Sequence, residues 1–413
     1  MFLLVVVLQL TIACDDHELM SGIRLLAGHH SPHGHQSAVS NLSCSDLTDR
    51  LSALSPDELN MASEDLLGFE PMTSDLEMLS AGLDFYAYVT PFIIVVGILG
   101  NMVALRVFVS RRMRKMSASL YLACLALSDC CALLSYVLVE WLHRGLPRWP
   151  GGWTYNLTAV EGLCRGYVFS SYTFRFMSAW FVVAFTIERY IGICMPLRRH
   201  VQCKRAFARQ SLGAVVLAAV ASSLWKPFLV QVQLSRGIPI CTFRPGYRVL
   251  TFVLDSIYGG SITVVPFVIM LTLNLLICRK LRQAKRRYMS QRFVTEESSI
   301  RLEFTAILLL VSTMFILLNV PYFVAYCQNF LLQIQRISTQ PGHTTERTRG
   351  WIYVTKTIFF CNYCINFFIY SLSGAYFRCQ LRRNLSCCLG SAESDRASLF
   401  LMRNCQNSQT TKV

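Results

Sequence analysis

Isolated polar and ionisable residues stand inside long apolar stretches of this sequence, and they are the residues whose types and spacing could do chemistry. In chain order they are Asn101, Asp129, Ser178, Glu188, Arg189, Tyr190, Asn366 and Tyr370. Burying a charged side chain at the centre of a bilayer costs ~2.5–3.5 kcal/mol on insertion scales, so a residue retained there is a functional hypothesis. Carboxylate, amide and hydroxyl oxygens could hold a hard cation. An arginine beside a glutamate could form an ion pair that breaks during a switch.

A second set of residues mixes charges with aromatic rings. Its members are Glu140, Ser171, Tyr172, Arg175, Asp255, Tyr258, Asn319 and Lys356, together with Tyr136 and Lys226. Charged groups framed by aromatic walls suit a peptide, which brings backbone amides, a terminus and side chains together. Arg175 lies eleven residues, about three helical turns, after Cys164. It would either contact a ligand deep between helices or form an internal ion pair with Glu140.

Enzyme chemistry is not predicted. The sequence has no glycine-rich phosphate loop, no His/Cys spacing typical of a metal site and no Ser/His/Asp set. Five of the eight histidines lie in residues 17–35, where metal capture is an alternative to a solvated leader. We therefore expect no enzymatic activity and no catalytic residues.

The elements that must position these side chains are apolar. Of 413 residues, 53% are hydrophobic and only 15% are charged, whereas a soluble domain has about a quarter of its residues charged. Seven apolar stretches lie at 85–105, 118–142, 163–194, 210–232, 256–278, 304–335 and 357–377. Each is long enough to cross a bilayer, where only a helix satisfies its own backbone. The predicted fold class is an all-α membrane protein, a seven-transmembrane helix bundle with a short amphipathic cytoplasmic helix eight.

The net charge of +15 is divided between two sides of the membrane. Residues 1–80 hold 12 acidic and 2 basic residues. The first, third and fifth connections between the spans hold sixteen basic residues, against eight in the alternate connections. Basic loops stay in the cytoplasm, so the N-terminus is predicted outside and the C-terminus inside. The positive charge then faces anionic membrane lipid, and nucleic acid is not an expected partner.

The segment before the first span is expected to lie outside the cell. Residues 1–14 predict a signal peptide, although no Lys or Arg precedes the apolar run and an uncleaved start is the alternative. Residues 15–80 are acidic with little periodicity, as is typical of a disordered tail. Asn41 begins a glycosylation triplet in this tail, and Asn156 begins another in the loop after helix two.

Two cysteine pairs differ from the cysteines inside the spans. Cys164, at the outer end of helix three, and Cys241, in the outer loop between helices four and five, lie where disulfides persist. We expect them to be bonded to each other. Cys387 and Cys388 follow the basic amphipathic stretch YFRCQLRRNLSCC. They predict palmitoylation that would hold helix eight along the membrane, and free thiols are the alternative.

Over residues 85–390 the order of motifs resembles the rhodopsin-like, or class A, G-protein-coupled receptors. The matching motifs are GN at 100–101, LALSD at 125–129, Cys164 with Cys241, ERY at 188–190, Pro266, Phe315 six residues before Pro321, and NFFIY at 366–370. The ending NFFIYSLSGAYFR is similar to invertebrate peptide receptors of the FMRFamide and sex-peptide type. The resemblance implies a receptor domain at 81–376, helix eight with a cytoplasmic tail at 377–413, and a plasma-membrane location.

The resemblance also implies a G-protein switch at the ERY motif. Arg189 would pair with Glu188 at rest and swing toward the G protein when helix six moves outward, with Tyr190 and Tyr370 in the same switch. Relatives often carry an acid on helix six that latches this arginine, whereas this chain has Arg301. Like charges repel, so we predict a weaker resting latch and measurable basal signalling.

A buried polar cluster is the second implied site. Asn101, Asp129, Ser178 and Asn366 would hold an allosteric sodium ion, as in many of these receptors. A purely structural cluster, with Asp129 protonated, is the alternative. No other cofactor or metal is implied. The tryptophan that most relatives carry two residues before the helix-six proline is replaced by Asn319, which puts the role of that tryptophan in doubt.

The expected ligand is an extracellular peptide, specifically a neuropeptide. Ser171 stands where amine receptors carry an Asp, and Phe360 stands where opsins carry the Schiff-base Lys, so amines and retinal are disfavoured. The alternatives are a small non-peptide ligand or, in a different class, a transporter or channel, for which we find no inverted repeat. The other expected partners are a heterotrimeric G protein, arrestin, membrane lipid and a PDZ protein at Thr411-Lys412-Val413.

Overall fold

The computed structural model describes residues 56–152, 157–195, 197–198, 203–235, 238–288, 296–338 and 344–388. The predicted signal peptide, Asn41, Asn156 and Thr411-Lys412-Val413 lie outside these residues.

Eight helices and one β-hairpin follow one another along the described part of the chain. They are α1 (Pro56–Phe108), α2 (Ser117–Ala132, the π-helical turn Leu133–Val137 and Leu138–Arg144), α3 (Glu161–Cys194), α4 (Arg205–Ser223), β1 (Val230–Ser235), β2 (Ile238–Phe243), α5 (Arg248–Ile262 and Val264–Tyr288), α6 (Glu296–Ser338), α7 (Thr344–Phe360, the 3-10 turn Cys361–Tyr363 and Asn366–Ser373) and α8 (Ala375–Cys388). Short 3-10 turns lie at Met113–Lys115, Leu146–Arg148, Leu157–Ala159 and Lys226–Phe228.

Six of the helices are long and apolar enough to cross a membrane, and α7 adds a seventh span when its two parts are counted together. These parts, Glu346–Tyr363 and Asn366–Ser373, meet at an angle of 51°. The predicted seven-helix bundle with a short helix eight is therefore confirmed.

Helix α1 is longer than the apolar pattern predicts. It begins at Pro56, so residues 56–80, which were expected to belong to a disordered tail, are helical in the structure. Proline suits the first position of a helix, because its missing N–H would have no partner there. Farther along, an added Cβ at Gly82 would collide with the backbone of Gly350. These small residues let the early part of α1 pack closely on α7.

Helix α4 is shorter than predicted. It ends at Ser223, and the segment from residue 224 to 232, expected to be helical, instead forms a 3-10 turn and the first half of strand β1. Pro227 lies in that 3-10 turn, where it lacks the amide hydrogen needed to continue a helix. The sequence VQVQLS then alternates apolar and polar residues, the period of a strand. Strands β1 and β2 pair antiparallel, with Val232 opposite Cys241.

Local departures from regular helix geometry lie next to the predicted site residues. The π-helical turn Leu133–Val137 in α2 carries Tyr136, and such turns re-aim side chains, often at functional sites. Helix α5 is interrupted at Thr263, three residues before Pro266, because proline disrupts the hydrogen bonding of the preceding turn. Helix α7 changes direction after its 3-10 turn, Cys361–Tyr363.

The buried hydrophobic residues form separate clusters along the bundle. We call the end that holds Cys164 and Cys241 the disulfide end, and the end that holds Arg189 the Arg189 end. Near the Arg189 end, the ring of Tyr370 on α7 packs 5.2 Å from that of Phe108 on α1 and 5.7 Å from that of Phe377 on α8. This aromatic group fixes α8 against the rest of the bundle.

Candidate ligand cavity and signalling switch

A cavity lies between α3, α5, α6 and α7. Its lining includes Arg175, Asn319, Tyr322, Tyr326, Asn362 and Tyr363. The lining residues of α6 are spaced three or four positions apart, which places them on one face of the helix. On α7, Asn362 and Tyr363 follow Phe359 by three and four positions in the same way. Arg175 and Asn319 were predicted from the sequence, whereas the tyrosines were not, although their periodicity on α6 and α7 is a signal for them.

Arg175 lacks the ion-pair partner that the sequence offered as an alternative. Its Cζ atom lies 4.5 Å from the centre of the Tyr136 ring, and its Nε atom is buried without a hydrogen-bond partner among the described residues. Glu140, the proposed partner, instead binds the Nζ atom of Lys356 on α7, and the Nε atom of Arg144 lies 3.6 Å away. The internal Arg175–Glu140 pair is therefore not formed.

A second ion pair lies beneath the β-hairpin. The Nζ atom of Lys226 lies 2.5 Å from each carboxylate oxygen of Asp255 on α5, and both residues are buried. Tyr172 on α3 donates a 2.7 Å hydrogen bond to the same carboxylate. The hydroxyl of Tyr258 in turn donates to the backbone oxygen of Tyr172 at 2.7 Å. These residues form a mutually bonded cluster, which we call the Lys226 cluster.

The predicted ligand residues are thus divided into separate groups. Arg175 and Asn319 line the cavity. Glu140 and Lys356 pair with each other outside its lining. Four other predicted ligand residues also do not line the cavity. These four are Ser171, Tyr172, Asp255 and Tyr258. Ser171 is buried and its hydroxyl donates to the Tyr167 carbonyl one turn earlier on the same helix. The sequence placed all of these residues in one pocket because it does not fix the rotation of each helix.

The predicted disulfide is present. Cys164 on α3 and Cys241 on β2 are bonded, with their Cα atoms 5.6 Å apart. Glu161, in the first turn of α3, accepts a 2.8 Å hydrogen bond from the backbone N–H of Val232 on β1. Both strands of the hairpin are therefore fastened to the start of α3, above the Lys226 cluster.

The predicted polar cluster is assembled around Asp129. Ser178 donates to one carboxylate oxygen at 2.6 Å, and Asn366 donates to the other at 2.7 Å. Asn101 donates to the backbone oxygen of Tyr363 at 2.6 Å, and its own side-chain oxygen is buried with no hydrogen-bond partner in the part of the chain that the structure describes. Ser178 also lines the cavity, so this cluster directly adjoins the floor of the cavity.

At the Arg189 end, Glu188 and Arg189 are paired. The Nε atom of Arg189 donates a 2.6 Å hydrogen bond to Oε2 of Glu188, and both side chains are buried. Ser117 at the start of α2 donates to the other carboxylate oxygen at 2.5 Å. Tyr190 is partly buried against the core, and the Tyr370 hydroxyl is buried without a hydrogen bond to any residue that the structure describes. The charged pair has the arrangement expected of a resting switch, and Tyr370 has no hydrogen bond to it.

A contact that sequence analysis missed joins α6 to α8. Oε1 of Glu303 accepts a 2.7 Å hydrogen bond from the backbone N–H of Tyr376, in the first turn of α8. The first amides of a helix have no partner within it, so a carboxylate there satisfies one of them and complements the helix dipole. Because this contact depends on how two helices meet, neither residue carries a local sequence signal for it.

Comparison with known proteins adds independent information. The family described as 7 transmembrane receptor (rhodopsin family) matches residues 100–370. The thyrotropin-releasing hormone receptor of Bos taurus is 25% identical over 322 residues, which cover 70% of this chain and 75% of that protein. The type-1 angiotensin II receptor A of Xenopus laevis is 25% identical over 320 residues, or 74% of this chain and 83% of that protein. A purinoceptor of Gallus gallus is 23% identical over 319 residues, or 75% of this chain and 83% of that protein.

Proposed function

Because the chain belongs to the rhodopsin family of seven-transmembrane receptors, we propose that it binds an extracellular neuropeptide and signals through a heterotrimeric G protein. The family consists of receptors, which agrees with the expectation that the chain is not an enzyme and argues against the transporter alternative. Its similarity to the thyrotropin-releasing hormone and angiotensin II receptors supports a peptide ligand. The similarity to invertebrate FMRFamide-type receptors stays a prediction.

The observation that carries the peptide assignment is the lining of the cavity. It combines a cationic guanidinium at Arg175, amides at Asn319 and Asn362, and a wall of tyrosine rings. A pocket of apolar walls with a few placed polar groups is typical of a ligand site. A peptide supplies complementary carbonyls, amides and aromatic side chains. The purinoceptor relative supports a second candidate, a small non-peptide ligand.

The proposed signal runs from this cavity to the Arg189 end. Helix α6 contributes Asn319 and Tyr322 to the cavity and contains Pro321 within the helix. Proline weakens the local hydrogen bonding and gives a helix a place to bend. A ligand in the cavity would favour outward movement of the part of α6 at the Arg189 end. Arg189 would then separate from Glu188 and contact a G protein. Arrestin would bind the same end.

A sodium ion is proposed as an allosteric ligand of the Asp129 cluster. The unpartnered side-chain oxygen of Asn101 and the carboxylate and hydroxyl oxygens of Asp129 and Ser178 are the hard donors that such an ion prefers. These residues fit the ion, with Asn366 orienting the carboxylate. The structural alternative, a protonated Asp129, predicts no response to sodium.

We also propose an orientation in the membrane, sites of modification and a further partner for the receptor. The disulfide end would face outward, with glycosylation at Asn41 and Asn156, and the receptor would reside in the plasma membrane. Cys387 and Cys388 fall at the last two positions of α8, and their palmitoylation would hold α8 against membrane lipid. The C-terminal Thr411-Lys412-Val413 would bind a PDZ protein.

Expression of the full-length receptor with a promiscuous G protein, followed by a screen of amidated neuropeptides for calcium release, tests the proposal. We expect at least one peptide to give a response that is absent from untransfected cells. A response to a lipid or metabolite with none to peptides would contradict the ligand class. Solute or ion flux through the same cells, without G-protein activation, would contradict the receptor function itself.

A further inference from the structure

Arg175 is a cation for which the described part of the cavity wall supplies no carboxylate. None of the residues that line the cavity is Asp or Glu. Its contacts are with neutral aromatic side chains, the Tyr136 ring at 4.5 Å and the Tyr363 side chain. A cation over an aromatic ring gains roughly 0.5–2 kcal/mol, which is less than the cost of an unpaired charge at membrane depth.

The acids near the cavity are already engaged, Glu140 and Asp255 by other cations and Asp129, which adjoins the cavity through Ser178, by hydrogen bonds from Ser178 and Asn366. Glu140 binds Lys356, with Arg144 at 3.6 Å. Asp255 binds Lys226 through both of its oxygens and also accepts the Tyr172 hydroxyl. Neither Glu140 nor Asp255 can turn to Arg175 without leaving a lysine unpaired, partly buried Lys356 in the first case and buried Lys226 in the second, which is destabilising. Among the residues that the structure describes, the charge of Arg175 is therefore not compensated by a carboxylate of its own.

We propose that the ligand compensates this charge by placing a carboxylate against Arg175. The proposal rests on the peptide-receptor function, and the carboxylate is an acidic side chain of that peptide. The planar guanidinium can donate two parallel hydrogen bonds to a carboxylate, a strong and directional arrangement. Tyr322 and Tyr326 line the same cavity, and their hydroxyls are further donors for the anion.

The position of Arg175 also couples the carboxylate to the signalling elements. Ser178 follows Arg175 by one turn on α3, lines the same cavity and donates to Asp129. Asn319 and Tyr322 bring α6 to the same space. An anion bound at Arg175 thus lies between the helix that carries the switch and the helix that must move.

Thermal unfolding of the purified full-length receptor without ligand tests the inference directly. Removing an uncompensated buried charge should stabilise the fold, so we expect Arg175→Met to raise the melting temperature by about 2–4 °C. The matched control is Lys226→Met, which leaves Asp255 without its cation and should lower the melting temperature. If Arg175→Met lowers the melting temperature as Lys226→Met does, Arg175 is a structural residue and the inference is overturned.

A second experiment uses peptides as the probe. Peptides active in the calcium screen are prepared in pairs, with each carboxylate present or replaced by its amide. We expect that removing one particular carboxylate weakens the potency of the peptide at least tenfold in the wild-type receptor. In Arg175→Gln, removing the same carboxylate should leave the potency unchanged. An active peptide with no such carboxylate would overturn the inference while leaving the peptide-receptor function in place. A response confined to nucleoside phosphates would overturn both.

Discussion

Glu303 on α6 accepts a 2.7 Å hydrogen bond from the backbone N–H of Tyr376 in the first turn of α8. The contact joins α6 to α8 at the Arg189 end of the bundle, where α6 would have to move during activation. Outward movement of α6 would break the hydrogen bond between the Tyr376 amide and the Glu303 carboxylate. The contact therefore favours the resting arrangement.

Loss of the Glu303 carboxylate should raise basal signalling. A hydrogen bond to a charged group contributes roughly 1.5–3 kcal/mol, so Glu303→Ala should increase the active population by on the order of tenfold where the resting state dominates. Basal G-protein activation at equal surface expression measures this. Glu297→Ala removes an acid from the start of the same helix and serves as the control. Equal basal activity in the wild type and Glu303→Ala would show that the contact does not restrain α6.

Arg301→Glu should have the opposite effect on basal signalling. It replaces a positive charge on α6 by a negative one on the side of the bundle that holds Arg189, and opposite charges attract. We expect basal activation to fall below that of the wild type. Unchanged basal activation in Arg301→Glu, with no wild-type signal above empty cells, would refute the prediction of a weak resting latch.

The Lys226 cluster should behave as one unit in stability. Breaking a buried ion pair by removing one partner costs about 3–5 kcal/mol, so Lys226→Met and Asp255→Asn should each reduce the yield of folded receptor at the cell surface. The double variant should recover most of that loss, since it leaves no unpaired charge and the asparagine oxygen can still accept from Tyr172. If the two losses simply add, the pair is not coupled.

Sodium should stabilise the wild-type receptor through Asp129. We expect a higher melting temperature in sodium chloride than in potassium chloride at equal ionic strength, and no such difference in Asp129→Asn. Asp84→Asn is the control, because Asp84 lies at the disulfide end in an exposed pair with Arg148 at 3.0 Å. Equal stability of the wild type in the two salts would favour the structural cluster with a protonated Asp129.

The features that sequence analysis predicted correctly are those with local signals. Apolar length predicts spans because a bilayer requires about 20 residues of helix. The Glu188–Arg189 pair involves neighbours in sequence, and the two outer cysteines have few alternative partners. The strand in VQVQLS also has a local signal, its alternation, but it was obscured by the apolar run before it.

The partners of Glu140 and Arg175 were not predictable in the same way. Glu140 and Lys356 are separated by 216 positions, and their meeting depends on how α2 and α7 are rotated. The rotation of a membrane helix is set by packing against its neighbours and not by its hydropathy. In α2 it also depends on the π-helical turn at Leu133–Val137. The same reasoning applies to Glu303 and Tyr376, which meet only because α6 and α8 pack at the Arg189 end.

The central claim, that this chain activates a G protein through Arg189, can be tested without knowing the ligand. Dissociation of a labelled G-protein heterotrimer is followed by energy transfer in cells with matched surface levels of each receptor variant. We predict dissociation above that of empty cells for the wild type, more for Glu303→Ala, and none above background when Arg189→Ala is added to Glu303→Ala. Arg209→Ala, at an exposed arginine of α4 near the same end, controls for loss of a positive charge. Dissociation at the level of empty cells for the wild type and Glu303→Ala alike would contradict the account.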